Sequence, residues 1–462
     1  MNLPQDFINK YEKLLGTEAA DFLASFDDPT QKGFRINPLK NEPKQLEYSL
    51  NQPVAYTKTG YYGSVSGHSL EHQSGYVYSQ DLSAMYVAEN VTVKPGAKIL
   101  DLCAAPGGKS TQVASQMNNQ GLLVSNEINH GRAKILAQNL ERIGAKNTIV
   151  LNESPAKLAA AFPGYFDQIL VDAPCSGEGM FRKDHQAVAY WSKDYPDQCA
   201  KRQREILLSA YQMLAPGGSL LYSTCTFAPE EDEQIAAWLL EEFSTLKIVP
   251  IKTYPGMDHG RPEFANGEGT LAGTVRLWPH HFQGDGHFIA KFMDTRQPVA
   301  ASEQAPKKKT KKKERQKKQP VISREQLELW QNFAAALKPD LRFGRADLRS
   351  YGDHLYYYDH SWPDISRLKF MRPGLLLGEF KKKRFEPSYT LALALRPQDY
   401  AQTLSVTHAQ WAQYVHGDVL QIAQKESKGW ALLVCEGKPF AFGKISGGSV
   451  KNFFPKGLRF SD

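Results

Sequence analysis

The stretch ILDLCAAPGGKST, residues 99–111, decides how this chain folds. It opens as an apolar, strand-like run that ends in an acid. A turn of small residues then closes on Gly107 and Gly108, which can adopt positive φ and let the backbone approach a ligand closely. A helix beginning near Lys109 would aim its free N–H groups at that loop. Two nucleotide loops are excluded. A GxxxxGKS phosphate loop needs glycine where this chain has Cys103, and the GxGxxG spacing of a dinucleotide loop is absent.

Outward from this unit, strand and helix patterns alternate. AKILDLCA, GLLVSNEI, NTIVLN, FDQILVDAPC and GSLLYSTC read as strands, with late strands at LKIVPI and HFIAKF. KSTQVASQM, HGRAKILAQNLERIG, DQCAKRQREILLSAYQML and EEDEQIAAWLLEEF read as helices. Such alternation predicts an α/β class with a Rossmann-like, doubly wound, mainly parallel sheet, whose ligands bind beyond the carboxyl ends of the strands. Asp101, Glu127, Asp172, Cys175 and Cys225 all fall at or just after such ends.

The flanks are organised differently. Residues 1–92 read as a small α+β part, with helices at LPQDFINKYEKLLG and EAADFLASF and a strand at GFRIN stopped by Pro38. A helix over SQDLSAMYVAENV has Ser79 as its expected N-cap. The sheet domain spans 93–295. Residues 296–322 read as a polar, basic linker, 323–400 as a small α+β unit and 401–462 as a compact β-rich end.

Charge is concentrated in the linker. KKKTKKKERQKK, residues 307–318, carries a formal +8 against the whole chain's +7, so the remainder sits near −1. The folded parts are therefore not basic as a whole, whereas the tether suits a polyanion. A hydrophobic fraction of 41% over 462 residues predicts a folded chain of two to four domains. Neither a secretory leader nor an apolar span of membrane length is read, so no membrane partner is expected. Five cysteines without CxxC or zinc-finger spacing predict no disulfide framework, no metal site and a reducing, cytoplasmic setting.

Two of those cysteines stand apart. Cys175 lies in DAPCSGEGMFRKD (172–184) and Cys225 in YSTCTFAPEEDE (222–233), each just past a strand. Cys103, Cys199 and Cys435 read as small buried hydrophobes. For PEEDE the plain reading is the first turn of the following helix. Two cysteines beside a nucleoside-like ligand loop suggest methyl transfer to a pyrimidine. Carbon 5 of cytosine is too weak a nucleophile unaided, and a thiolate adding to carbon 6 makes carbon 5 enolate-like.

DLCAAPGGK, VDAPCSGEG and STCTFAPEEDE resemble the motifs of the Fmu/Sun/Nop2 family of RNA cytosine-5 methyltransferases, over about residues 30–293. Arg35, Asn37 and YVYSQDLSAM resemble its N-terminal RNA-binding part. RLWPHHFQGDGHFIAKF, the basic linker and GKISGGSVKNFFPKGLR resemble its RsmF (YebU) branch, whose members act on small-subunit (16S) ribosomal RNA and end in a PUA-like domain. The resemblance implies an S-adenosyl-L-methionine-dependent methyltransferase core. It makes Cys225 the nucleophile and has Cys175 assist loss of the carbon 5 proton or enzyme release. Lys109 and Asp172 would hold the base. Cofactor contacts would come from Cys103, Ala104, Ala105, Pro106, Gly107, Gly108, Lys109, Glu127, Arg132, Asn152 and Asp172. Many relatives carry aspartate where this chain has Asn152.

Two other readings remain at this point. A DNA cytosine-5 enzyme would use the Pro-Cys cysteine, Cys175, as nucleophile. A non-catalytic ribosome-assembly factor would dispense with Cys225. In either RNA reading the partner is ribosomal RNA or the small subunit, with its target base exposed or flipped, and the plain default is a monomer. YGDHLYYYDHSW, residues 351–362, has rings that suit base stacking, with core packing expected for most of them.

Overall fold

The computed structural model describes residues 1–40, 46–297, 322–422 and 427–461. The basic run 307–318 lies outside them. The N-terminal part holds helices α1 (Gln5–Leu15) and α2 (Ala19–Ala24), strands β1 (Gly33–Ile36) and β2 (Gly60–Tyr62), the short α3 (Leu70–Gln73), strand β3 (Val77–Ser79) and helix α4 (Leu82–Glu89). Ser79 ends β3 and is not the N-cap of α4. Asp81 is, accepting hydrogen bonds from the Ser83 and Ala84 amides. Ser79 is still held in the sheet opposite Phe34, and the chain turns into the helix only at Asp81.

The central domain runs β4 (Lys98–Asp101), α5 (Gly108–Met117), β5 (Leu122–Asn126), α6 (His130–Arg142), β6 (Thr148–Leu151), α7 (Pro155–Ala161), β7 (Phe166–Asp172), α8 (His185–Tyr190), α9 (Tyr195–Met213) and β8 (Leu214–Thr224). Helix α10 (Glu233–Glu242) and strands β9 (Leu246–Ile248), β10 (Asp258–His259), β11 (Val275–Leu277) and β12 (His287–Asp294) complete it. Strands β8, β7, β4, β5 and β6 pair in parallel, in that order, as the centre of the sheet. Strands β9 to β12 add antiparallel to one side, so the parallel strands are five of ten rather than most of the sheet.

The tenth strand comes from the C-terminal part. Helix α11 (Arg324–Ala334) and strands β13 (Leu348–Tyr351) and β14 (His354–Tyr357) lead to β15 (Phe370–Arg372), which pairs antiparallel with β6. Arg372 is buried there and donates to the Ala145 carbonyl at 2.7 Å and to Thr148 Oγ1 at 2.8 Å. Strands β16 (Leu375–Lys381) and β17 (Arg384–Pro387) return to β14, followed by helix α12 (Tyr389–Ala394). The end of the chain is a five-stranded sheet of β18 (Thr403–Val406), β19 (Leu420–Gln421), β20 (Gly429–Cys435), β21 (Lys438–Ser446) and β22 (Ser449–Asn452), with α13 (His408–His416) against it. Its hairpins β20–β21–β22 are as expected, but β18 joins parallel to β20.

Packing explains most of the aromatic residues. Phe7, Tyr11 and Phe22 of α1 and α2 bury against Phe181, Trp191, Phe227 and Trp278 of the central domain. Each fully buried Phe of this kind contributes about 1.5–3 kcal/mol. In the 351–362 stretch, Tyr357 and Tyr358 pack on Trp362, and Tyr351 on Phe370, which is the core role. No helix among the described residues is long and apolar enough to cross a membrane.

Candidate functional site

A cavity of about 520 Å³ opens at the carboxyl ends of β4, β5, β6, β7 and β8. Leu102, Cys103, Ala105, Asn126, Glu127 and Arg132 line one part, and Asp172, Pro174, Cys175 and Cys225 another. Parallel strands create this site because their ends diverge on either side of the point where the order reverses, between β4 and β7.

Of the paired glycines Gly107 alone has positive φ, and neither lines the cavity. Gly107 takes φ +116° at the N-cap of α5, and a Cβ there would lie 3.1 Å from Leu136 Cδ1. Arg132 donates to the Ala105 carbonyl at 2.7 Å and lies 3.7 Å from Glu127, so it ties the loop to the end of β5. Glu127 Oε1 accepts the Asn129 amide at 2.8 Å. Asn152 does not line the cavity. Its amide donates to the Glu127 and Ile128 carbonyls at 2.7 and 2.9 Å, which shapes the loop from behind. Ser154, Pro155 and Ala156 at the start of α7, with Ile128 and Ile206, supply the apolar wall instead. Sequence reading missed α7, whose only local signal is Pro155 at the first helical turn after Ser154.

These surroundings fit the methyl donor. The volume suits a nucleoside-sized ligand. The apolar wall suits a flat base, Glu127 suits ribose hydroxyls, and the Asp172 carboxylate suits a sulfonium cation.

The two cysteines meet. Cys175 Sγ lies 3.3 Å from Cys225 Sγ although β8 and a long helix separate them in sequence. The hydrogen bond to Cys225, then burial, hold the Cys175 thiol well above its usual range. Lys109 Nζ donates to Asp172 Oδ2 at 2.7 Å, and Ser223 Oγ donates to Asp172 Oδ1 at 2.8 Å. Burial alone would neutralise this pair, but the partners outweigh it: Asp172 is held below and Lys109 above its ordinary value. Lys109 also feels the Cys225 sulfur. Asp101 keeps one oxygen on Ser110 Oγ at 2.6 Å, and burial pushes its carboxyl up to about 7.

Of the acids read as a helical first turn, Glu233 falls there, while Glu231 and Asp232 brace the two cysteine loops. Glu231, Asp232 and Glu233 are fully buried, and α10 begins only at Glu233. Glu231 accepts the Ser176 amide at 3.0 Å and Gln203 Nε2 at 2.7 Å, and burial pushes it up to about 8. Glu178 accepts from Trp191 Nε1, Thr226 Oγ1, the Phe227 amide and Tyr11, joining α1 to both loops. Arg276 of β11 pairs with Asp232 at 3.1 Å and with Glu233. Another residue without a sequence signal is His287, the first residue of β12, whose Nε2 lies 3.4 Å from Lys109 Nζ. Cys199 and Cys435 are buried as read, whereas Cys103 faces the cavity.

Residues 88–293 match the family model described as 16S rRNA methyltransferase RsmB/F. Residues 3–82, 332–395 and 401–460 match the N-terminal, first C-terminal and PUA domains of RsmF. The chain is 30% identical to ribosomal RNA small subunit methyltransferase F of Shewanella loihica, over 99% of this chain and 96% of that one. It is 30% identical to the protein of that name from an Escherichia coli strain, over 95% of this chain and 92% of that one. A solved methyltransferase homologue from Pyrococcus horikoshii superposes with TM-score 0.55 and 28% identity, covering 62% of this chain and 94% of that one. NSun6 from the same organism, solved with SFG, shares the fold at TM-score 0.52 and 19% identity, covering 64% of this chain and 99% of that one.

Proposed function

Because this chain belongs to the RsmF family of 16S rRNA methyltransferases, we propose that it methylates carbon 5 of a cytosine in small-subunit ribosomal RNA through a covalent bond from Cys225 to carbon 6. It is an S-adenosylmethionine-dependent RNA methyltransferase. The observation that carries the finer reading is the meeting of two sulfurs at 3.3 Å in the cavity that Asp172, the partner of Lys109, also lines.

The Cys225 thiolate adds to carbon 6, and the electron pair of the C5–C6 bond moves into the ring toward carbon 5. Lys109, held positive beside Asp172, offsets the negative charge that the addition moves into the ring. Asp172 fixes Lys109 in place. When bound, S-adenosylmethionine supplies an electrophilic methyl group for carbon 5. With Cys225 alkylated, the sulfur contact that holds a proton on Cys175 is gone. Cys175, once its own proton has passed to solvent, accepts the carbon 5 proton, the C5–C6 double bond re-forms and Cys225 leaves as thiolate.

The remaining parts are assigned to RNA positioning. Residues 1–92 and 401–462 flank the 93–295 catalytic unit, and the 296–322 linker with its basic run supplies phosphate contacts, with the 323–400 unit as a brace. The setting is the cytoplasm, with the chain acting as a monomer.

Cys225→Ala and Cys175→Ala proteins incubated with S-adenosylmethionine and unmethylated 16S rRNA test this. Cys225→Ala should give neither 5-methylcytosine nor a denaturant-resistant protein–RNA adduct, and Cys175→Ala should accumulate the adduct. An adduct that needs Cys175 and survives loss of Cys225 reverses the two roles.

A further inference from the structure

We propose that His287 is a positioning residue that aims the Lys109 ammonium at the reacting base, locked in one tautomer by Ser83 and Asp81. The proposal rests on the reading that Lys109 and Asp172 hold the base. Nothing in the comparisons assigns His287, Ser83 or Asp81 a part in the reaction.

The donors around Asp81 fix where each proton sits. Asp81 Oδ1 caps α4, accepting the Ser83 and Ala84 amides at 2.9 and 3.1 Å, and it also accepts the Ser83 hydroxyl. Its other oxygen faces Lys183 at 3.7 Å and accepts the Asp285 amide at 3.2 Å. Faced by these donors and by the Asp285 carboxyl, whose proton burial and the Asp81 charge retain, Asp81 is a carboxylate and only accepts. The single Ser83 proton is therefore committed to Asp81, and the Ser83 oxygen must accept from its other neighbour. That neighbour is His287 Nδ1 at 2.8 Å, which carries the ring proton. His287 Nε2 is then left with a lone pair, and it faces Lys109 Nζ at 3.4 Å.

Each member of the chain thus has one direction available to it. Lys109 spends one N–H on Asp172, which lines the cavity, and a second on His287, so a third remains for the base. Without the second contact the ammonium would swing about its bond to Asp172. A buried histidine on a strand is commonly a packing residue. Packing, however, does not require a neutral imidazole with its lone pair on a lysine and its N–H on a serine already committed to a carboxylate. The device also couples the N-terminal part to the catalytic loop, because Ser83 and Asp81 begin α4 while Lys109 begins α5.

The test compares His287→Leu, His287→Gln and Ser83→Ala with wild type in single-turnover methyl transfer to 16S rRNA, with KM for RNA and for S-adenosylmethionine and a thermal melt for each. His287→Leu should slow methyl transfer and adduct formation on the order of 10- to 100-fold, the size expected for a misplaced catalytic group, with both KM values little changed. His287→Gln should restore most of the rate, since its carbonyl accepts from Lys109 and its amide donates to Ser83. Ser83→Ala should fall between. A His287→Leu enzyme as fast as wild type overturns the proposal. So do equally slow Leu and Gln variants with equally lowered melts, which is the packing outcome. Wild-type protein that forms neither 5-methylcytosine nor an adduct would instead defeat the cytosine-5 reading itself.

Discussion

Asp101 ends β4 with one carboxylate oxygen on Ser110 and the other, Oδ1, without a hydrogen-bond partner, in full burial. Burial pushes it up to about 7, from about 3.9 in an unfolded chain. Between those values the folded protein keeps a proton that the unfolded chain releases, so stability falls as pH rises from about 4 to about 7 and then levels off. Asp101→Asn should flatten that slope in thermal melts of the cofactor-free protein. Parallel wild-type and variant curves would show that Asp101 does not carry the effect. Glu231, pushed up to about 8, acts with the same sign, so the slope shrinks rather than vanishes. At this scale the residue types in the motifs were legible in part: Cys103, Ala105, Glu127, Arg132, Asp172, Cys175 and Cys225 line one cavity, whereas Ala104, Pro106, Gly107, Gly108 and Lys109 do not. Asn152 was legible as a neighbour but not as a brace, because the choice between ligand and backbone carbonyl depends on how the 127–128 loop turns.

At the scale of elements, the turn into α5 concentrates the strain. Gly107→Ala would place a Cβ 3.1 Å from Leu136 and force a left-handed conformation on alanine. A cost of about 1–3 kcal/mol to folding is expected, and any relaxation of the turn shifts Ala105, which lines the cavity. Calorimetric titration with S-adenosylmethionine should show affinity at least about tenfold weaker, from a displacement worth about 1.4 kcal/mol. Unchanged affinity would mean the loop does not cradle the ligand. The neighbouring α4 shows where element boundaries escape sequence reading. Ser79 and Asp81 both favour an N-cap, and pairing of β3 with β1 through Ser79 decides between them.

For the whole molecule, a buried ion pair joins the N-terminal part to the C-terminal sheet. Lys438 of β21 lies 3.1 Å from Glu71 of α3, with both side chains buried. Removing one partner of such a pair leaves an uncompensated charge, at a cost on the order of 3–5 kcal/mol. Lys438→Ala should make the 401–462 sheet susceptible to limited proteolysis while the central domain resists, and an unchanged digest would place the docking energy elsewhere. The basic run acts through charge alone. Replacing the nine Lys and Arg of 307–318 by Gln should reduce the salt dependence of RNA affinity. On single-stranded RNA the log–log slope should fall by about 0.7 for each phosphate that the run no longer neutralises. Methyl transfer at saturating RNA should hold. A slope equal to wild type would remove the tether from RNA binding.

The sequence by itself determined the strand–turn–helix alternation, the glycine loop and the two cysteine motifs, whereas it expected more of the sheet to be parallel than the five central strands. These depend on side-chain period and turn chemistry, which act between residues close in the chain. Only the tertiary structure decided that β15 would extend the sheet beside β6, that Glu178 and Glu231 would brace the cysteine loops, and that His287 would meet Lys109 across 178 residues. Such pairings carry no local periodicity. They form because buried donors, acceptors and charges must find partners once packing has removed them from water.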